Sequence, residues 1–360
     1  MNEAGHMRLA LELARLGEGD VNPNPLVGVV IEKDGYIVGR GYHRRYGGPH
    51  AEVFALNEAG DAARGATLIT PLEPCSHHGK TPPCTDRIIA AGIARVIVGV
   101  RDPNPLISGR GIEQLRAAGI DVVEGVLAEE CRVLNEVFLH YITRRLPFVQ
   151  LKMATSLDGR IATRAGDAKW ISCEASRIEA HRMRRRLSSI LVGVGTVIAD
   201  DPRLSVRHVF GRNPVPIVLD PSGRIPIHAR ILSSDPPPII VTDALSAAKE
   251  QQLTERGARV WRIPTTEGHF ILPKLLKRLG EESIDSVLIE GGGETAATFL
   301  SAGLVDKVTW FVAPLLIGGR DAIPAVGGAG AQQISDAVRL ERVSLREVGD
   351  DLLYSGYPVR

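Results

Sequence analysis

Hydrophobic and polar positions change their period several times along the chain, and each change marks an element. Met7, Ala10, Leu11 and Ala14 fall at i, i+3, i+4 and i+7, which predicts an amphipathic first helix. Two short apolar runs, over 27–31 and 36–38, flank Asp34-Gly35 in the pattern of a β-hairpin. After the break at Gly47-Gly48-Pro49 the spacing predicts a helix over 50–59, a strand over 67–70, a helix starting at Cys84 and a buried strand over 94–100. Residues 109–118 and 128–141 read as two further helices. Strands alternating with helices predict a three-layer α/β domain.

Arg144-Arg145-Leu146-Pro147 interrupts this alternation and marks a domain boundary, giving domains over 1–145 and 146–360. The second half begins with a strand over 148–153 and a turn at Ser156-Leu157-Asp158-Gly159-Arg160. A helix over 176–186 carries Arg182, Arg184, Arg185 and Arg186, a charge run that by itself reads as a solvated face. Short strands follow over 190–194, 217–219, 239–241, 260–263, 286–289 and 308–314, with Pro236-Pro237-Pro238 as a stiff connector.

Composition narrows the functional classes. At 360 residues and 44% hydrophobic content, the chain can bury two cores. Lys plus Arg number 43 against 42 Asp plus Glu, so no overall basic field recruits nucleic acid and substrate steering must be local. Four cysteines in a chain this long do not make a disulfide framework, which fits a reducing cytoplasm. Residues 1–15 lack the apolar core of a signal peptide, and no run of about 18 apolar residues exists to span a membrane. A cytoplasmic protein with no membrane partner is expected.

The chemistry concentrates between His50 and Cys84. His50-Ala51-Glu52, Glu73-Pro74-Cys75 and Cys84 offer one imidazole and two thiols. Three such ligands leave the fourth corner of a tetrahedral Zn²⁺ open for water, the arrangement of a catalytic site. Glu52 lies close enough in sequence to move protons at that water without ligating the metal. His-x-Glu followed by Pro-Cys and a second Cys is the pattern of zinc deaminases of nucleobases. Their usual spacing is Cys-x-x-Cys; here eight residues, Ser76 to Pro83, separate the two thiols. Taken singly, buried packing cysteines and a chance His-x-Glu are the commoner explanation. All three beside helix starts favour the zinc site.

Two rigid loops frame this motif, Asn22-Pro23-Asn24-Pro25 before it and Asp102-Pro103-Asn104-Pro105 after it. Proline stiffens both, and an asparagine amide offers a donor and an acceptor to a substrate. In the second half, Gly291, Gly293 and Ala296 satisfy Gly-x-Gly-x-x-Ala between a strand and a helix, where backbone amides can hold a pyrophosphate. The strand over 308–314 ends without the acidic residue of a dinucleotide fold, so a phosphate loop in another nucleotide-binding fold fits better.

His50-Ala51-Glu52, Glu73-Pro74-Cys75-Ser76-His77, Pro82-Pro83-Cys84 and the loop 22–28 resemble the first domain of the bifunctional riboflavin-biosynthesis deaminase/reductase family. Ser156-Leu157-Asp158-Gly159, the segments 166–171, 192–197 and 199–202, and Glu290-Gly291-Gly292 resemble its reductase domain, so the resemblance covers nearly the whole chain. It implies a cytidine-deaminase-like three-layer α/β/α domain followed by a dihydrofolate-reductase-like α/β domain. It also implies one Zn²⁺ per chain on His50, Cys75 and Cys84, with Glu52 as the proton shuttle.

By the same resemblance, Asn24, His43, His77, Lys80, Asp102 and Asn104 hold a phosphoribosylaminopyrimidine. Ala154, Trp170, Thr196, Asp200, Ser222 and the loop of Gly292, Gly293, Glu294, Thr295, Ala296, Ala297 and Thr298 contact NADPH. Lys152, Ala168, Arg184, Leu204, Arg207 and Glu290 face the reductase substrate and its phosphate. Ala168 stands where the family usually shows a serine, which removes one hydrogen bond.

The expected function is deamination of 2,5-diamino-6-(5-phosphoribosylamino)pyrimidin-4-one and then NADPH-dependent reduction of the ribosyl group to ribityl. The expected partners are these small molecules and further copies of the chain. A nucleic-acid-editing deaminase would share the zinc motif but needs a basic groove and stacking aromatics, against an aromatic content of 4%. A non-catalytic zinc-stabilised interaction protein would fill the fourth ligand position and has no need of Glu52.

Overall fold

Each predicted apolar stripe finds a sheet to cover. The computed structural model describes residues 2–76, 83–104 and 108–359. Its contacts divide the chain into two units, Met1–Arg145 and Leu146–Arg360.

In the first unit, helix α1 (Glu3–Arg15) starts where the Asn2 side chain accepts the Gly5 N–H at 2.9 Å, and it buries Met7, Ala10, Leu11 and Ala14. Strands β1 (Gly28–Lys33), β2 (Tyr36–Tyr42), β3 (Thr67–Leu72), β4 (Arg95–Val100) and β5 (Asp121–Glu124) form one sheet in the order β2-β1-β3-β4-β5. β1 runs antiparallel to β2 and β3, whereas β3, β4 and β5 are parallel.

The alternation of strand side chains sorts the core into two layers. Val29, Ile31, Leu68, Val96 and Val98 face α2 (Ala51–Ala59), α3 (Cys84–Ala90) and α4 (Arg110–Ala117). Val30, Ile69 and Ile97 face α1, α5 (Ala128–Leu134) and α6 (Glu136–Arg144). Two glycines set how closely the helices approach. A Cβ on Gly28 would stand 2.1 Å from the Ala10 carbonyl, and one on Gly41 would stand 2.3 Å from that of Ala51.

Departures from the sequence expectation have local causes. The helix expected over 128–141 is broken at Asn135, whose side chain is occupied by the backbone of Leu26. Strand β5 was not expected. It has four residues, with charge at both ends, too few to show a period.

The second unit is built on a nine-stranded sheet. Its strands are β6 (Phe148–Ser156), β7 (Ser189–Gly193), β8 (Val215–Leu219), β9 (Ile239–Thr242), β10 (Arg259–Arg262), β11 (Ser286–Ile289), β12 (Lys307–Ala313), β13 (Leu340–Val348) and β14 (Asp351–Pro358). The order is β10-β9-β8-β7-β11-β6-β12-β14-β13, parallel from β10 to β12 and antiparallel through the last hairpin.

Leu191, Val149 and Leu151 pack on one face with Phe299; Ile190 and Val192 pack on the other with Ile231. Helix α7 (Glu174–Arg186) agrees with expectation, while α8 (Val194–Asp200), α9 (Ala247–Glu255), α10 (Leu272–Glu281) and the β13–β14 hairpin were not expected. α11 (Gly293–Ser301) follows the glycine-rich turn. Among the described residues, no helix is long and apolar enough to cross a membrane.

Candidate functional site

Three chain segments converge at one corner of the first unit. β3 ends at Leu72 and delivers Glu73-Pro74-Cys75; His50 caps the start of α2, and Cys84 opens α3. His50 Nδ1 lies 3.3 Å from Cys84 Sγ and 3.5 Å from Cys75 Sγ, and the three ligand atoms all lie within 4.8 Å of one another. A tetrahedral zinc with bonds of about 2.0–2.3 Å needs ligand atoms roughly 3–4 Å apart, so this donor set fits the ion.

Cys75 is held well below the ordinary thiol range by its hydrogen bond with Cys84, and the same bond together with burial pushes Cys84 up. The His50 imidazole is raised by its hydrogen bond to Cys75. Glu52, in the first turn of α2, is 4% exposed, and its Oε2 is buried with no protein partner. Burial pushes its carboxyl up, toward the range in which a carboxyl can both hold and release a proton near neutral pH.

A cavity of about 310 Å³ opens beside these atoms and is lined by Asn24, His43, His50, Glu52, Cys75, Asp102 and Asn104 among others. The His43 Nδ1–H donates to the Pro49 carbonyl at 3.0 Å, which leaves Nε2 to accept from the Asn24 amide at 3.1 Å. Burial lowers the His43 pKa, so a neutral ring orients the Asn24 amide. Asp102 accepts the Asn104 N–H at 2.8 Å. His77 and Lys80 lie outside the described residues.

Two side chains without an assigned role prove central to this cavity's frame. Asn135 accepts the Leu26 N–H at 2.8 Å and donates to the Leu26 carbonyl at 3.0 Å, pinning the loop that carries Asn24. The Glu73 carboxylate accepts backbone N–H groups from the segment that carries Asp102. An amide predicted inside a helix and a buried acid beside a cysteine were the only signals of either.

In the second unit the C-terminal ends of neighbouring parallel strands gather the remaining residues, where open α/β sheets bind ligands. Arg184 on α7 donates to both oxygens of Glu290 at 2.6 and 2.7 Å, and Lys152 on β6 lies 3.9 Å from the same carboxylate. Burial would raise Glu290, but Arg184 and Lys152 hold it at about 2. Burial lowers Lys152.

Arg184 also donates to the Ser205 carbonyl at 3.1 Å, which brings the segment of Leu204 and Arg207 to the cluster. The Arg207 N–H donates to His181 Nδ1 at 3.1 Å. His181 falls to about 3 through burial and the adjacent cations, so it stays a neutral acceptor. The solvated-face reading of the arginine run therefore holds for Arg182, 64% exposed, and fails for Arg184, 13% exposed.

The candidate NADPH contacts occupy the adjoining strand ends. Thr196 and Asp200 lie on α8 after β7, and the residues 292–298 follow β11. These turns approach closely: a Cβ on Gly193 would stand 2.7 Å from Thr295 Oγ1, and one on Gly293 would stand 2.8 Å from the Pro324 carbonyl. Ala154 lies on β6, and Ser222 is exposed just past β8. Ala168 and Trp170 lie on the segment before α7, where the Arg177 guanidinium stacks 4.6 Å from the centre of the exposed Trp170 ring.

Comparison with known proteins matches both units. Residues 1–100 match the model of the cytidine and deoxycytidylate deaminase zinc-binding region, and residues 147–354 match that of the RibD C-terminal domain. The riboflavin biosynthesis protein RibD of Aquifex aeolicus is 45% identical over 98% of this chain and 97% of its own length. That of Escherichia coli is 41% identical over 98% of each chain. Among solved structures, Acinetobacter baumannii RibD superposes with a TM-score of 0.89 at 36% identity, covering 99% of both chains. A Thermotoga maritima diaminohydroxyphosphoribosylaminopyrimidine deaminase/5-amino-6-(5-phosphoribosylamino)uracil reductase gives 0.87 at 40% identity with the same coverage.

Proposed function

Because the chain belongs to the RibD family of riboflavin-biosynthesis proteins, we propose a division of labour in which residues 1–145 deaminate and residues 146–360 reduce. The chain is a bifunctional enzyme with a zinc-dependent deaminase activity and an NADPH-dependent reductase activity. The observation that carries the first role is the His50, Cys75 and Cys84 triad beside a buried Glu52 carboxylate with an unpartnered oxygen.

His50, Cys75 and Cys84 would hold zinc, which would supply a water acidified to a pKa of about 7. Glu52 would take one proton from the water and pass it to the pyrimidine ring nitrogen, then take the second from the hydroxyl now on carbon and pass it to the amine, which leaves as ammonia. Its raised pKa suits both directions of transfer. His43, Asn24, Asp102 and Asn104 hold the diaminopyrimidine ring and its ribose in the cavity. His77 and Lys80 complete the substrate set, with the Lys80 cation suited to the phosphate.

For the second reaction bound NADPH would supply a hydride to ribose C1′ of the ring-opened imine, whose nitrogen takes a proton from solvent. Thr196, Asp200, Ser222, Ala154, Trp170 and the turn of residues 292–298 orient the nicotinamide and hold the pyrophosphate. Lys152, Arg184, Leu204 and Arg207 bind the phosphorylated sugar, and Glu290 fixes the direction of both cations. With Ala168 in place of serine, this set works with one hydrogen bond fewer.

The substrates are small phosphoribosylaminopyrimidines, and no nucleic acid or membrane takes part. A homo-oligomer is supported by the apolar side chains on the last hairpin, where Leu345 is 61% exposed beside Val343 and Leu352. A cytoplasmic location is supported by the free thiols, which a reducing compartment keeps available for this chemistry.

The test follows ammonia release and NADPH absorbance in one vessel. Ammonia should appear without NADPH, and NADPH should be consumed only once deaminated product is present. NADPH consumption with no ammonia release would sink the deaminase assignment.

A further inference from the structure

We propose that Glu73 is the positioning residue that couples the zinc-bearing segment to the Asp102–Asn104 substrate loop. This rests on the deaminase reading given above. Glu73 stands directly after β3 and two residues before Cys75, and it is 4% exposed. Its backbone N–H donates to the Val100 carbonyl at 2.9 Å, which ties it to the end of β4.

Its carboxylate accepts four backbone N–H groups. Oε2 takes those of Asp102 at 3.1 Å and Gly109 at 3.0 Å, and Oε1 takes those of Gly111 at 2.9 Å and Ile112 at 3.3 Å. One buried anion thereby satisfies the start of the substrate loop and the first turn of α4, where the unpaired N–H groups of a helix favour negative charge. Asp102, fixed in this way, accepts the Asn104 N–H at 2.8 Å and passes the constraint to the next candidate substrate contact.

The fit leaves no room for adjustment. A Cβ on Gly111 would stand 2.2 Å from the Pro74 carbonyl and 3.1 Å from Glu73 Oε1. Glu73 also borders the cavity, but both of its carboxylate oxygens are engaged by these backbone N–H groups, which suits a positioning role.

The zinc ligands have a tie of their own. The Cys75 carbonyl accepts from both the N–H and the hydroxyl of Thr85, at 3.2 and 3.3 Å, and the Cys84 N–H donates to Cys75 Sγ at 3.4 Å. Removing the Glu73 charge therefore releases the substrate loop without dismantling the metal site. In Glu73→Gln the amide oxygen keeps two acceptor positions, but the amide NH₂ faces two backbone donors that it cannot satisfy.

The experiment uses the full-length, zinc-loaded chain and three readouts: KM and kcat for deamination, zinc per chain by elemental analysis, and reductase rate on deaminated substrate as a control for intact protein. Glu73→Gln should raise KM roughly tenfold to hundredfold, the loss set by hydrogen bonds to a charged group. Its kcat should stay within a few-fold of the parent, with full zinc and an unaltered reductase rate.

Gly111→Ala, which displaces the same junction from the opposite side, should shift KM in the same direction. Amide hydrogen exchange at Asp102, Gly109, Gly111 and Ile112 should quicken in Glu73→Gln while the amides of α2 stay protected. An unmoved KM overturns the proposal. So does loss of zinc or of soluble protein in both variants, which would make Glu73 a folding residue. A parent chain that deaminates nothing takes the functional reading down with it; an active parent with an unmoved variant overturns only this proposal.

Discussion

Replacing Glu290 with Gln removes the carboxylate held between two buried cations. Arg184, Lys152 and Glu290 are 13%, 15% and 6% exposed, so none of the three can turn to bulk water for compensation. Breaking a buried ion pair by removing one partner costs about 3–5 kcal/mol, because the surviving charge is left desolvated. The pKa gives a second route to the magnitude. Holding the carboxyl at about 2 instead of 4.5 is worth about 3 kcal/mol at neutral pH. The folded-state pKa is depressed, so this stability is fully present above 4.5 and is lost as pH falls toward 2.

The assay is urea unfolding followed by tryptophan fluorescence. Trp170, Trp261 and Trp310 all belong to the second unit, so the signal reports that unit alone. Glu290→Gln should lose about 3 kcal/mol at pH 7, and the gap to the parent should shrink as pH is lowered from 4.5 toward 2. The phosphorylated reductase substrate should bind more weakly as well, because Arg184 loses its fixed direction. A loss below about 1 kcal/mol at pH 7, or a gap that does not depend on pH, would refute the argument, since exposed pairs give no more than that.

Three further outcomes are expected. Glu52→Gln should keep its zinc and lower deaminase kcat by ~10²–10⁴-fold, because a nearly isosteric amide cannot take the water's proton; turnover within a few-fold of the parent would remove Glu52 from the mechanism. Cys84→Ala should lose both zinc and deaminase activity, and a purified variant retaining one tightly bound zinc per chain would show that the ligand set is wrong. A fragment of residues 146–360 should fold, bind NADPH and oxidise it on deaminated substrate without zinc; a folded fragment that binds no NADPH would place part of the cofactor site in residues 1–145.

The sequence displays what is local. Met7, Ala10, Leu11 and Ala14 announce α1 because one face of a helix repeats every 3.6 residues, and those four residues are buried. The zinc triad is legible because His50 and Cys84 sit at helix starts marked by breaks at Pro49 and Pro83; Cys75, also expected beside a helix start, instead follows the end of β3. Long-range pairing is not displayed. Arg184 belongs to a run that looks solvated, and its partner Glu290 lies 106 residues away. Asn135 interrupts an expected helix because it serves Leu26, 109 residues earlier. Glu73 reads as part of a cysteine motif, whereas its work is done on amides 29 to 39 residues downstream. Strand β5 and helix α8 are too short, at four and seven residues, for a period to emerge.

The central claim is that one chain carries out two successive reactions on one phosphoribosylated pyrimidine. Mass spectrometry of the products from 2,5-diamino-6-(5-phosphoribosylamino)pyrimidin-4-one, with and without NADPH, tests it most directly. Without NADPH the product should have an amine exchanged for a carbonyl oxygen and its ribosyl group intact. With NADPH the same product should also gain two hydrogens on the sugar, giving the ribityl chain with its phosphate retained. Reduction of the starting diamine without loss of its amine, or deaminated product that stays unreduced in excess NADPH, would contradict the account.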